Sequence, residues 1–142
     1  MIVRSAQPDD AIPSELLQGF ATADIRFNRD QMLVAVEDDG ALVGLAILYD
    51  GGHETLFLEH FVVHPLTRGR RVAECLMSGC VEYGRQRGAR MLFGFSPNAK
   101  FVRRAQRAGA TCMPRPFALL AWDLTRGDPA YRSRKEPSHA TV

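Results

Sequence analysis

The stretch Leu56–Met77, LFLEHFVVHPLTRGRRVAECLM, concentrates the residue types and spacing most suited to chemistry. A run of β-branched and aromatic residues stops at His64-Pro65, and the short basic turn Leu66-Thr67-Arg68-Gly69-Arg70 leads straight into a segment of helical period. The first N–H groups of a helix have no intrahelical acceptor, and the helix dipole adds partial positive charge there, so such an end is an anion site. Arginines around the turn would add bidentate contacts to phosphate oxygens. The pattern therefore suits a phosphate or pyrophosphate. The alternative is a plain connector whose arginines are solvated.

Glu59 lies inside the strand. Strict alternation gives it the face of Phe57, Phe61 and Val63. A carboxylate on an apolar face would be desolvated and its pKa raised, as a general base for an amine requires. The alternative is an exposed or hydrogen-bonded acid without catalytic work. His60 and His64 fall on the opposite face, about 13 Å apart, too far for one metal ion, and read as structural. Cys75, Cys80 and Cys112 lack paired zinc spacing and read as core residues. No metal is expected.

The elements that must hold this segment follow from period and punctuation. Ile2–Ser5 reads as a strand and Ile12–Phe20 as an amphipathic helix with Leu16, Leu17 and Phe20 inward. Met32–Glu37 and Ala41–Tyr49 form a hairpin around Asp38-Asp39-Gly40. A turn at Asp50-Gly51-Gly52 precedes the strand Thr55–His64. The helix Arg71–Arg87 ends at Gly88, Met91–Phe95 is a short strand, and Ser96-Pro97 starts a helix over Asn98–Ala108. Phe117–Leu124 closes the pattern as a last strand. The order predicts an α/β domain of the α+β type, a mixed sheet with helices on its faces. It spans residues 1–124, and the polar segment 125–142 reads as a mobile tail.

Composition sets the outer bounds. A chain of 142 residues is long enough for one core without a disulfide or metal staple. With 46% hydrophobic and 24% charged residues it is neither disordered nor fibrous. Its longest apolar run, Ala41–Tyr49, is far below the roughly 18 residues of a membrane span. Met1–Asp10 carries two acids and no extended apolar stretch, unlike a signal peptide, so a cytoplasmic location is expected. The net charge of +2 hides an asymmetry: residues 1–66 hold 3 Arg against 11 acids, and residues 67–142 hold 15 basic residues against 5 acids. A basic half suits a phosphorylated cofactor or a polyanion. The arginines are not interleaved with stacking aromatics, which argues against a nucleic-acid partner.

Leu58–Met77 resembles the cofactor motif of the GNAT family of N-acetyltransferases, a strand ending in V-x-P followed by R-G-x-G-x-G/A and a helix. The likeness extends over about Ile2–Leu124. Met32–Tyr49 is similar to the family's central hairpin and Arg90–Ala110 to its second conserved half. The resemblance implies a mostly antiparallel sheet with a V-shaped opening between two central parallel strands, acetyl-CoA as co-substrate, and direct acetyl transfer to a small-molecule or peptide amine. It implies backbone contacts from Phe61 and Val63 to pantetheine, with a Val63 N–H holding the oxyanion. The amides of Arg68, Gly69, Arg70, Arg71, Val72 and Ala73 would surround the pyrophosphate. Asn98 would either cap its helix or bond near the cofactor. Arg103, Arg104 and Arg107 would be either solvated or near the 3′-phosphate.

Three positions depart from the family pattern, and one is Ala110, which replaces the phenylalanine of the usual Gly-Phe ending. Arg71 stands where the motif's central glycine is expected, a loss of about 1 kcal/mol if that backbone is strained. Its side chain would either touch a phosphate or block the groove. Ala105 stands seven residues after Asn98, where many members carry a tyrosine acid. A CoA thiolate, with a thiol pKa of about 8–9, is a tolerable leaving group without one. The departures keep a second function open, that of a catalytically inactive binding or assembly module. Trp122 and the strand Phe117–Leu124 suggest an edge that could pair in a homodimer.

Overall fold

The computed structural model describes residues 1–17, 31–67, 71–96, 98–114 and 118–125. Within them, strands β1 (Ile2–Ser5), β2 (Met32–Val36), β3 (Leu42–Gly52), β4 (Thr55–Val63), β5 (Met91–Ser96), β6 (Thr111–Pro114) and β7 (Ala118–Asp123) form one sheet. Its order is β1-β2-β3-β4-β5-β7-β6. Every neighbouring pair is antiparallel except β4 and β5. The helices are α1 (Ser14–Leu17), α2 (Val72–Gln86) and α3 (Ala99–Arg107).

The two faces explain why β2 and β3 read as continuous apolar runs: a strand covered on both sides needs no polar alternation. On one face Leu33, Ala35, Ala46, Leu48 and Leu56 pack against Val72, Leu76, Met77 and Cys80 of α2 and Ala105 of α3. On the other, Met32, Val34, Leu45 and Ile47 pack against Leu16 of α1. Both α2 and α3 stop where the sequence has glycine. Gly88 at φ 75° and Gly109 at φ 100° take the left-handed conformation that closes each helix. The following N–H groups bond back, Ala89 to Gly84 O at 2.9 Å and Ala110 to Ala105 O at 3.0 Å.

The strand that matters most is β4. Its partners on β3 run Leu45↔Val62, Ala46↔Phe61 and Ile47↔His60, then Leu48↔Leu58. Glu59 is the extra residue of a β-bulge, which shifts the phase of the strand by one. Leu56 and Leu58 before the bulge therefore share the α2 face with Phe61 and Val63 after it. Strict alternation, which grouped Phe57, Glu59, Phe61 and Val63, fails at this point. Phe57 instead lies in an aromatic ladder with Tyr49 (centroids 5.3 Å apart) and Phe93 (5.7 Å).

Four further expectations change. The turn between β3 and β4 is not Asp50-Gly51-Gly52. Strand β3 continues to Gly52, and His53 (φ 53°) and Glu54 (φ 60°) make the reversal. A two-residue hairpin requires positive φ at both central positions, normally supplied by Asn-Gly. Strand β6 was missed because four residues ending in proline resemble a loop. With β6 in place, β7 is interior and not the edge expected of Phe117–Leu124, of which Phe117 lies outside the described residues; among the described strands the edges are β1 and β6. The helix read over Ile12–Phe20 is seen as Ser14–Leu17, with Leu16 fully buried, and residues 18–20 lie outside the described ones. The segment after Thr125 also lies outside them. No helix among the described residues is long and apolar enough to cross a membrane.

Candidate active site

Strands β4 and β5 pair only from Thr55↔Met91 to Leu58↔Gly94. Beyond that, β5 continues to Ser96 against β7, and β4 continues to Val63 against β3. The half of β4 from Glu59 to Val63 therefore has no strand on its β5 side among the described residues. Its exposed backbone follows from ladder geometry. His64 N–H donates to Val43 O at 2.7 Å, so His64, Val62 and His60 turn their backbone groups toward β3. Those of Phe61 and Val63 face the opening.

Two adjoining pockets, the lobes of a cleft, follow this opening. One, of about 310 Å³, is lined by Phe61, Val63, Arg71, Ala73, Lys100 and Arg104 among others. The second, of about 270 Å³, is lined by Leu58, Glu59, His60, Gly94 and Ser96. Phe61, Asn98 and Phe101 border both. The rings of Phe61 and Phe101 meet edge to face at 5.0 Å and join β4 to α3.

The first lobe ends at the start of α2. Arg71 is the residue before the helix, at φ 59° and ψ 19°, with no side-chain cap on the helix. Its carbonyl accepts from Cys75 N–H at 3.1 Å. The first-turn amides therefore keep their protons for a ligand. Val72 and Ala73 are buried, and both border the cleft. The left-handed backbone at Arg71 is the conformation that glycine would take without steric cost. Arg71, Lys100 and Arg104 give this lobe three cations, and no carboxylate is among its described lining residues.

The sequence-derived residues divide accordingly. Phe61, Val63, Arg71, Val72, Ala73 and Asn98 meet in the first lobe, and Glu59 lies in the second. Arg68, Gly69 and Arg70 lie outside the described residues. Glu59 is exposed, so the desolvation expected of it is not met. Asn98 is the cap of α3: its Oδ1 accepts from Lys100 N–H (2.9 Å) and Phe101 N–H (3.2 Å). The helix consequently starts at Ala99. Ser96 does not cap it; its Oγ accepts from Asn98 N–H at 3.1 Å.

Of the three arginines on α3, only Arg104 lines the cleft, while Arg103 and Arg107 are exposed. Ala105 is fully buried in the core. His60 donates from Nε2 to Leu16 O at 2.8 Å and holds α1 to the bulge. Nδ1 of His64 accepts from Leu66 N–H at 3.2 Å. Among the described residues no group of His, Cys, Asp or Glu could hold a metal ion. Burial pushes the Cys80 thiol up to about 12 and raises that of Cys75, so neither is a ready nucleophile. Sequence reasoning passed over Ser96, Lys100 and Phe101. Helical spacing from Asn98 carried a signal for Phe101, but burial alone singles out Ser96.

Comparison with known proteins agrees with this architecture. No curated protein sequence matches the chain. Among solved structures, an IAA acetyltransferase from Bacillus cereus superposes with a TM-score of 0.71 at 17% identity, covering 86% of this chain and 98% of that one. A GNAT family acetyltransferase from Elizabethkingia anophelis, with acetyl-CoA bound, gives 0.70 at 14% identity, covering 85% and 96%. N-acetylglutamate synthase from Neisseria gonorrhoeae, complexed with coenzyme A and N-acetyl-glutamate, gives 0.67 at 19% identity, covering 87% of this chain and 35% of that one. These likenesses concern the fold. The sequence itself matches the family model described as the acetyltransferase (GNAT) family over residues 3–110, a span running from β1 past the forked strands and the uncapped helix to the end of α3. The chain belongs to the GNAT family of acetyltransferases.

Proposed function

We propose that this protein is an acetyl-CoA-dependent N-acetyltransferase that passes the acetyl group directly to the amine of a small molecule or peptide. The observation that carries this is the unpaired half of β4 running toward an uncapped helix start beside three cations. That layout matches a thioester on a long amide arm with phosphates at its far end. The Phe61 and Val63 backbone would pair with pantetheine amides, as an added strand pairs with a sheet edge. The amides of Arg71, Val72 and Ala73, with the turn Arg68-Gly69-Arg70, would hold the pyrophosphate. Arg71, Lys100 and Arg104 would supply charge to the phosphates. In the transfer, the amine nitrogen attacks the thioester carbon and the oxyanion takes a hydrogen bond from Val63 N–H. Glu59, at the bulge and open to solvent, accepts the amine's proton directly or through water.

A second reading, an acyl-CoA binding module without turnover, is favoured by one observation. Ala105 buries an apolar methyl where an acid would be useful. Calorimetric titration with acetyl-CoA, with dephospho-CoA and duplex DNA as comparisons, followed by a screen of amine acceptors, separates the two. Saturable acetyl-CoA binding with acetylated product supports the enzyme. Binding without product from any amine supports the module, and no acetyl-CoA binding refutes both.

A further inference from the structure

We propose that Ser96 stabilises the departing CoA thiolate, a role that rests on the acetyltransferase reading above. Transfer leaves the C–S electron pair on sulfur, and a charge developing in a partly enclosed cleft requires a donor. The inward position of α3 that would carry one is Ala105, which has no polar side-chain atom and is fully buried.

The hydroxyls lining the described cleft are those of Thr67 and Ser96. Thr67 is committed, since its Oγ1–H donates to His64 O at 2.8 Å. Ser96 differs. Its Oγ accepts from Asn98 N–H at 3.1 Å, and its own proton has no acceptor among the described residues. It is only 8% exposed, so water competes weakly for that proton. The bond from Asn98 fixes the oxygen, and a hydroxyl that accepts one hydrogen bond donates a stronger one.

Position supports the same role. Ser96 is two residues past Gly94, the last β5 partner of β4, so it stands at the fork, across from the bulge. The other donors are placed or engaged differently. Arg71, Lys100 and Arg104 line the first lobe and not the second. His60 Nε2 is held by Leu16 O. Asn98 is an exposed residue, and its backbone N–H is engaged with Ser96 Oγ.

The chemistry balances without proton transfer from serine, whose hydroxyl is a far weaker acid than a thiol. The amine lone pair forms the C–N bond, and the C–S bond breaks with its pair on sulfur. The ammonium proton leaves to Glu59 or water. The thiolate, held by Ser96 Oγ–H, takes its own proton from solvent.

The test needs no acceptor. Bound CoA, in its thiol form, is titrated by ultraviolet thiolate absorbance against a desulfo-CoA blank in the full-length protein. A hydrogen bond to the thiolate lowers the thiol pKa, and its removal raises it. Ser96→Ala is expected to raise the pKa of bound CoA by about one unit relative to wild type, the scale of one charge-assisted hydrogen bond. Ser96→Thr, which keeps the hydroxyl, is expected to stay near wild type. If Ser96→Ala does not fold, Ser96→Gly, which also lacks the hydroxyl and adds no titrating group, reads the same shift. An unchanged pKa in Ser96→Ala or Ser96→Gly overturns the role of Ser96 while the acetyltransferase reading stands. Failure of wild-type protein to bind CoA overturns that reading and this inference together.

Discussion

Arg71 is the position at which stability and ligand binding are expected to move in opposite directions. Its backbone sits at φ 59° and ψ 19° with the side chain exposed and no cap on α2. A left-handed L-residue costs about 1–2 kcal/mol relative to glycine. Glycine returns about 0.4–1 kcal/mol of that through the extra freedom of the unfolded chain. Arg71→Gly should therefore stabilise the fold by about 0.5–1 kcal/mol, a rise of about 2–4 °C in Tm for a domain of this size. Arg71→Ala keeps the strain and should stay within about 0.5 kcal/mol of wild type. Both variants lose an exposed cation beside the cleft. An exposed charge pair contributes about 0.2–1 kcal/mol, so acetyl-CoA binding should weaken by up to about fivefold. Its salt dependence should flatten equally in the two, because the backbone amides remain. Thermal melts and calorimetric titrations at two ionic strengths read both quantities. Destabilisation of Arg71→Gly by more than about 1 kcal/mol would refute the strain argument. Tighter acetyl-CoA binding in both variants would show that the side chain obstructs the groove and refute its phosphate contact.

Three other outcomes are expected. Glu59→Gln should lower turnover at least severalfold, with acetyl-CoA affinity unchanged; unaltered turnover removes Glu59 from proton transfer. At Gly51 an added Cβ would lie 2.3 Å from Phe57 Cε2, so Gly51→Ala should displace the ring from its ladder with Tyr49 and Phe93. A loss of about 1–3 kcal/mol in urea unfolding is expected, and a neutral effect would show that the ring yields freely. Cys80, whose thiol is pushed up to about 12 by burial, should resist alkylation until the protein unfolds. The folded state holds this proton more tightly than the unfolded one. Its contribution is therefore complete below about pH 9 and falls as pH rises from there toward 12, by at most about 1.4 kcal/mol per unit. Cys80→Ala should flatten that alkaline decline, and an unaltered decline would assign it to other groups.

Much of the fold was legible because its signals are local. The strand read over Thr55–His64, its stop at Pro65 and the helix after Arg71 follow from a β-branched and aromatic run, a proline and a period near 3.6. Gly88 and Gly109 ended their helices because a left-handed residue is needed at that one position. The hairpin turn was misplaced for the converse reason. Local preference favours Gly51-Gly52, but pairing of Asp50 with Leu56 and Gly52 with Thr55 moves the reversal to His53-Glu54. There, Arg90 N–H donates to Glu54 O at 2.7 Å, a contact from a distant part of the chain.

The same division runs through the site. The order of residues alone determined the family motif, the basic turn before a helix start, and the departures at Arg71 and Ala105. Tertiary structure decided the phase of β4. The bulge at Glu59 exists only as a mismatch of two strands, and one extra residue reverses which side chains share a face. It also decided that Glu59 is exposed, that Asn98 caps α3, and that Ser96 is buried at the fork with its oxygen accepting from Asn98 N–H. Alternation and capping are properties of a few consecutive bonds. Burial and the direction of a free N–H or O–H depend on neighbours brought together from across the chain.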